Sequence, residues 1–256
     1  MDVVNAMRPQ RAIEGEGTTE SEWAAWPGLA RLPVIAHDAL VPPGARAVVV
    51  APHPDDEVLS VGGLLAQLAR TATPVQLIAV TDGTASHRGS STWPAERLAR
   101  ERPRESREAL RRLGMAHAPL RLGLPDGGLA RLRAELADRL SGLLDRSDVV
   151  FTTWRQDGHP DHEATGDACA SAALRTGARL IEVPVWAWHW AAPGDARLPW
   201  QRAFRLPLDC DAASRKRGAV QAYISQLHPD ASTGAGPILR GTTVARAARP
   251  YEVFFT

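Results

Sequence analysis

Apolar residues cluster in three short runs: Ala47-Val48-Val49-Val50-Ala51, Val75 to Thr81 (VQLIAVT) and Asp148 to Thr153 (DVVFTT). A short apolar run without alternation predicts a strand buried on both faces, as in a parallel sheet. Arg179 to Val185 reads as a fourth strand and Tyr251 to Phe255 as a last one. Between them the spacing changes. Val58, Leu59, Leu65 and Leu68 give a helical pattern over Asp56 to Arg70, and Glu96 to Leu113 is charged and helical, with Pro103 forcing a break or a new first turn. Leu129, Leu132, Leu136, Leu140 and Leu143 step by three and four, so a single amphipathic helix is expected there. Glu163 to Thr176 is Ala-rich and helical up to Gly177, and Val220, Tyr223, Ile224 and Leu227 mark a further helix. Strands alternating with helices predict an α/β protein, with a mostly parallel sheet covered on both faces. Residues 1–45 stand apart as an N-terminal arm: a flexible lead-in over 1–20, then an irregular stretch with Trp23, Trp26, Pro33, Pro42 and Pro43. Regular structure is expected from Arg46, with 46–256 a single domain. Trp186, Trp188 and Trp190 alternate, which as a strand points all three to one face. Packing in a core or interface is the simpler use of such a face, and a carbohydrate platform the other.

Composition narrows the class. The 256 residues are 44% hydrophobic and 23% charged, which excludes wholesale disorder and fibrous repeats. A net charge of +1 gives no reason to expect nucleic acid or an anionic membrane as partner. No run is long and apolar enough for a membrane span, and the polar N-terminus carries no secretory pattern. Cys169 and Cys210 are too few for a disulfide framework. A reduced, cytoplasmic protein is the expectation, with self-association left open.

The candidate chemistry lies at two strand ends. His53-Pro54-Asp55-Asp56-Glu57 follows the first buried strand, and His159-Pro160-Asp161-His162 follows the third by six residues. In a parallel α/β sheet, loops at the C-terminal strand ends converge on the ligand site. Together the clusters supply three imidazoles and four carboxylates, where a catalytic zinc takes three nitrogen or oxygen ligands and keeps one open position. Taken singly, either cluster is also accounted for as a capped turn, with Asp55 or Asp56 at a helix N-terminus.

At these residues the sequence resembles the PIG-L, or LmbE-like, family of zinc N-deacetylases. Ala51 to Glu57 (APHPDDE) and His159 to His162 (HPDH) are similar to its paired signatures. Weaker likenesses extend the match over about residues 46–227. They are Thr81-Asp82-Gly83, the helix bearing Arg102, Glu105, Ala109, Leu113 and Gly114, Leu124-Pro125-Asp126-Gly127, and the late helix with Lys216, Ala219, Tyr223, Ser225 and Gln226. Glu252 and Phe254 echo a C-terminal E-x-F.

The resemblance implies a Rossmann-like three-layer α/β/α sandwich. It makes His53, Asp56 and His162 the metal ligands, Asp55 the general base, His159 the electrophilic or acid partner and Asp161 its orienting carboxylate. Zinc is the implied cofactor, although His/His/Asp ligation suits iron or another divalent ion too. Arg102, Asp126 and Arg88 are candidate substrate contacts; a solvated basic face and a simple turn explain the first two equally well. The implied substrate is a small molecule, an N-acetyl amino sugar or glycoconjugate. Two other readings stand beside deacetylation: a metal-dependent hydrolase of another amide or a phosphoester, and a non-catalytic carbohydrate-binding protein with a structural metal.

Overall fold

The computed structural model describes residues 11–256; the first half of the expected lead-in lies outside the described residues. Three short helices, α1 (Glu20–Ala25), α2 (Pro27–Arg31) and α3 (His37–Leu40), precede the sheet. Regular structure thus begins before Arg46, because Thr19 and Glu22 form a reciprocal capping box that starts α1. The chain continues through β1 (Arg46–Ala51), α4 (Asp56–Arg70), β2 (Val75–Thr81), α5 (Ala95–Leu113), β3 (Leu120–Leu124), α6 (Arg133–Ser141), β4 (Asp148–Thr153), α7 (Pro160–Thr176) and β5 (Arg179–Val183). It ends with α8 (Ala187–Trp190), β6 (Ala203–Pro207), α9 (Cys210–Val220), α10 (Ile224–Leu227), α11 (Gly241–Ala247) and β7 (Tyr251–Phe255).

The seven strands form one sheet in the order β3-β2-β1-β4-β5-β7-β6. The pairings from β3 to β5 are parallel, while β7 runs antiparallel to both β5 and β6. One face packs α4, α5 and α9 against Val49, Phe151 and Phe254, with Leu64 and Leu65 of α4 among them; the other packs α6 and α7 against Val48, Val50 and Val150, with Ala168 of α7 among them. This is the expected three-layer α/β/α sandwich. The chain leaves β1 toward β2 on one side and later returns to β4 on the other. The gap at the C-terminal ends of β1 and β4 is therefore the switch point at which such sheets bind ligands.

Several elements differ from their sequence signals. Pro103 breaks nothing: α5 runs through it, because the buried stripe of Leu98, Arg102, Ser106, Ala109 and Leu113 continues on both sides. The Leu129–Leu143 pattern divides into a single 3-10 turn (Leu129–Arg131) and α6, while Leu129, Leu136 and Leu140 remain buried. The Trp186–Trp190 stretch is helical. Trp188 and Trp190 turn into an aromatic cluster with Trp23, and only Trp186 is left beside the switch point.

Helix α4, which presents one of the two acidic clusters, is kinked at Val61 (φ −130°, ψ 19°). The backbone groups freed there are taken by a buried ion pair. Glu252 of β7 accepts from the N–H of Gly63 and Leu64, and Lys216 of α9 donates to Leu59 O and, at 2.6 Å, to Glu252. The late lysine and glutamate that echo the family pattern thus splice the helix that carries Asp56 and Glu57.

Candidate metal centre

Two helix starts face each other across the switch point. Beyond β1 the backbone turns through Asp55, which holds φ 142° and ψ −30°, a conformation that strains a residue with a side chain. Two neighbours brace it. Glu57 Oε2 accepts the Asp55 N–H at 3.0 Å, and Arg102 donates to Asp55 Oδ2 at 3.0 Å and to Pro54 O at 2.7 Å. Glu57 is itself held by the hydroxyls of Ser106 and Tyr223. Arg102 also donates to Gly83 O. Gly83 has φ +66°, and a Cβ there would lie 1.9 Å from the Arg102 guanidinium, so the turn after β2 accepts only glycine.

On the facing side His159 is the N-cap of α7, and His162 sits in its first turn, fully buried. Asp56 Oδ2 lies 3.2 Å from His53 Nδ1 and 3.2 Å from His162 Nε2. Donors bound tetrahedrally at about 2.0–2.1 Å would stand about 3.3–3.4 Å apart, so this spacing is that of ligands sharing one ion. Among the described residues, buried His162 Nε2 faces only Asp56 Oδ2 and meets it outside good hydrogen-bond geometry, a pairing that a cation between the two would satisfy. Donor atoms of His53, His159 and His162 converge within 4.8 Å of one another, as do those of His53, Asp126 and Asp161. The residues gathered here thus offer the kinds of donor that a divalent metal takes.

The electrostatics follow from burial and crowding. Burial raises Asp55 to about 7 against the lowering pull of Arg102. Burial opposes ionisation of Asp56 too, but His162 and His53 outweigh it and hold that carboxyl well below the usual range. His162 rises to about 9 because Asp56 and Asp157 overcome its desolvation. His159, by contrast, is pushed down to about 3, by burial first and then by His162 and His53. Its Nδ1 accepts the Asp161 N–H, so the neutral ring carries its proton on Nε2.

The expected site residues fall into three groups. His53, Asp55, Asp56, His159 and His162 come together on the wall of a cavity of about 320 Å³, which Arg88, Arg102 and Asp126 also line. Arg102 is not the solvated arginine of the alternative reading: it is buried on the cavity wall, where its guanidinium donates to Asp55, Pro54 and Gly83. Asp126 touches His53 Nε2 at 3.1 Å and accepts the Ala85 N–H, while Arg88 lies on the lip. Asp161 does not orient the His159 ring with its carboxylate. That group accepts from the N–H of Gly127 and Leu129 and approaches His53 Nε2 at 3.4 Å, because the first turn of α7 aims it away from its own N-cap.

The sequence reading missed Asp157. Its carboxylate accepts from the N–H of Val185, Trp186 and Ala187 and meets His162 Nδ1 at 2.8 Å. It holds Nδ1 of the His162 ring and so leaves Nε2 turned toward Asp56. The only signal was an aspartate five residues before that histidine, in the polar stretch RQDG.

A mostly parallel sheet whose switch point gathers imidazoles and carboxylates at an open cavity has the layout of an α/β enzyme with donors suited to a divalent ion. Comparison with known proteins gives the family. The model of the PIG-L family, GlcNAc-PI de-N-acetylase, matches residues 48–173, and the chain belongs to this family. It is thereby a hydrolase of carbon–nitrogen bonds. The 1D-myo-inositol 2-acetamido-2-deoxy-alpha-D-glucopyranoside deacetylase of Corynebacterium diphtheriae is 26% identical over 225 residues, 72% of this chain and 77% of its own length. A probable N-acetyl-alpha-D-glucosaminyl L-malate deacetylase of Bacillus subtilis is 31% identical over 142 residues, 51% of this chain and 61% of that protein. Among solved structures, the conserved protein TT1542 of Thermus thermophilus is 31% identical with a TM-score of 0.53, covering 72% of this chain and 80% of that one. No helix among the described residues is long and apolar enough to cross a membrane.

Proposed function

We propose that the protein is a zinc-dependent N-deacetylase that hydrolyses the acetamide of an N-acetyl amino sugar or glycoconjugate. The observation that carries this reading is the Asp56 carboxylate held 3.2 Å from both His53 and His162, with a second carboxylate, Asp55, beside it on the cavity wall. The deacetylases of Corynebacterium diphtheriae and Bacillus subtilis, both acting on glucosaminyl compounds by name, support the substrate class. A set of imidazole nitrogens and a carboxylate suits zinc, and iron or another divalent ion as an alternative. The same reading takes 46–256 as the deacetylase domain and the preceding arm as an addition to it.

His53, Asp56 and His162 would hold the divalent ion, which would supply Lewis acidity for the hydrolysis. Asp55 takes the proton of the attacking water. Arg102 engages its Oδ2, which leaves Oδ1 outside that contact for the proton. As the carbonyl oxygen gains charge, the Nε2–H of His159 donates to it; loss of such a donor typically costs ~100–1000-fold in rate. Asp55 then returns its proton to the amine nitrogen as the carbon–nitrogen bond breaks, so acetate and a free amino sugar leave. Arg88 on the lip and the Trp186 ring beside His159 hold the sugar. Asp55→Asn tests the assignment. It should keep its metal and lose acetate release from N-acetylglucosaminides, and a fully active variant would remove Asp55 from the mechanism.

A further inference from the structure

Behind the catalytic cavity, and sharing Leu59, Val185 and Thr243 with its wall, lies a second space of about 40 Å³. One water needs ~10–15 Å³ measured this way, so the space takes roughly three waters or one small ion. Its lining is unbalanced in charge. Lys216 is paired with Glu252 at 2.6 Å, and Arg249 grips Glu20 through two hydrogen bonds. Arg246 is buried like them, at 8% exposure, yet has no carboxylate within ion-pair distance among the described residues. Among the described residues, its Nη2 donates to the Thr18 carbonyl and its Nε has no partner. The acids that act on it from further away are already engaged: Glu20 by Arg249, and Asp157 by His162 and three backbone N–H groups. On the same lining, the equally buried Thr243 hydroxyl also lacks a partner among the described residues.

A buried cation left uncompensated is strongly unfavourable. Water would complete the hydrogen bonds of Arg246 and Thr243 but leave the charge; a small anion answers both. We propose that this space binds one small monovalent anion, chloride or a short carboxylate such as acetate, held by the Arg246 guanidinium and the Thr243 hydroxyl. Burial, followed by the nearby Arg249, already pushes the Arg246 guanidinium down to about 10, as expected of a cation short of negative charge. The site does not depend on the deacetylase reading. Because Thr243 belongs to both walls, its occupant braces helix α11 against the catalytic cavity.

Thermal unfolding of the full chain in sodium chloride, sodium acetate and sodium gluconate at matched ionic strength tests it. Chloride or acetate should raise the Tm along the curve of a single saturable site, while gluconate, too large for the space, gives only the ionic-strength baseline. A response to chloride alone marks a halide site and a response to acetate alone a carboxylate site; either supports the proposal. Arg246→Gln should abolish the response. If that variant does not fold, Thr243→Val carries the test, raising the half-saturating concentration roughly tenfold for one lost hydrogen bond. Chloride and acetate curves that coincide with gluconate, or a half-saturation unmoved by Thr243→Val, would overturn it.

Discussion

Replacing Asp157 with asparagine separates holding a metal ligand from being one. Asp157 Oδ1 accepts from Val185 and Ala187, each at 2.9 Å, and Oδ2 from Trp186 at 2.9 Å and His162 Nδ1 at 2.8 Å. Asparagine keeps the shape but only one of the two acceptors. If its oxygen stays on Val185 and Ala187, its amide faces the N–H of both His162 and Trp186; flipping it moves the conflict to the other pair. His162 is fully buried, so water does not repair the loss. Its ring then either turns or changes tautomer, and both take Nε2 from the metal position. Changes of this kind cost about 10–100-fold in metal affinity, or ~1.4–2.7 kcal/mol. Competition for zinc between the protein and a chelator of known affinity, run below the unfolding transition, measures it directly. Circular dichroism on the same samples confirms that the fold is intact. A folded Asp157→Asn variant with unchanged zinc affinity would show that His162 is not a ligand held through Nδ1.

Three further outcomes follow from single contacts. Tyr223→Phe removes a buried hydroxyl that donates to Glu57 at 3.0 Å. It should cost about 1 kcal/mol, a Tm loss of ~2–4 °C at this chain length; an unchanged Tm would mean that the Glu57 network adds no stability. Trp186 flanks His159 with ring planes only 19° apart on the cavity wall. Trp186→Ala should raise KM for an N-acetylglucosaminide roughly tenfold, about 1.4 kcal/mol, with kcat nearly unchanged, and a loss confined to kcat would remove the ring from substrate binding. Burial pushes the Cys169 thiol up to about 12, whereas Cys210 is exposed. A thiol reagent at mildly alkaline pH should therefore label one cysteine in the native protein and two after unfolding, and two equivalents in the native state would contradict the buried position of Cys169.

The centre of the sheet was readable because β1, β2 and β4 are flanked by strands and covered by helices, so burial on both faces leaves an apolar run. The edges were not. Strand β3 (LRLGL) is largely exposed and β6 (AFRLP) ends in proline, so neither carries a buried-strand signature. The tryptophan stretch misled because alternation over five residues also fits one helical turn, and the apolar cluster around Trp23 decided between them. The two acidic motifs located the site, since their residues sit together in sequence. Asp157 and the redirected Asp161 depend on how a loop and a first helical turn aim a carboxylate, which spacing does not encode. The brace on Asp55 was half visible. Glu57 lies in the motif, but Arg102 reaches it from a helix that sequence presents as basic and solvated.

The central claim is that His53, Asp56 and His162 hold one catalytic divalent ion. X-ray absorption at the zinc edge, on protein stripped by chelation and reloaded with zinc, tests it when acetate release is followed on the same samples. The account predicts a sphere of imidazole nitrogen and carboxylate oxygen at about 2.0–2.1 Å, with hydrolysis absent from the stripped protein and restored in proportion to zinc up to one ion per chain. Undiminished hydrolysis after exhaustive chelation, or rebound zinc without imidazole in its sphere, would contradict it.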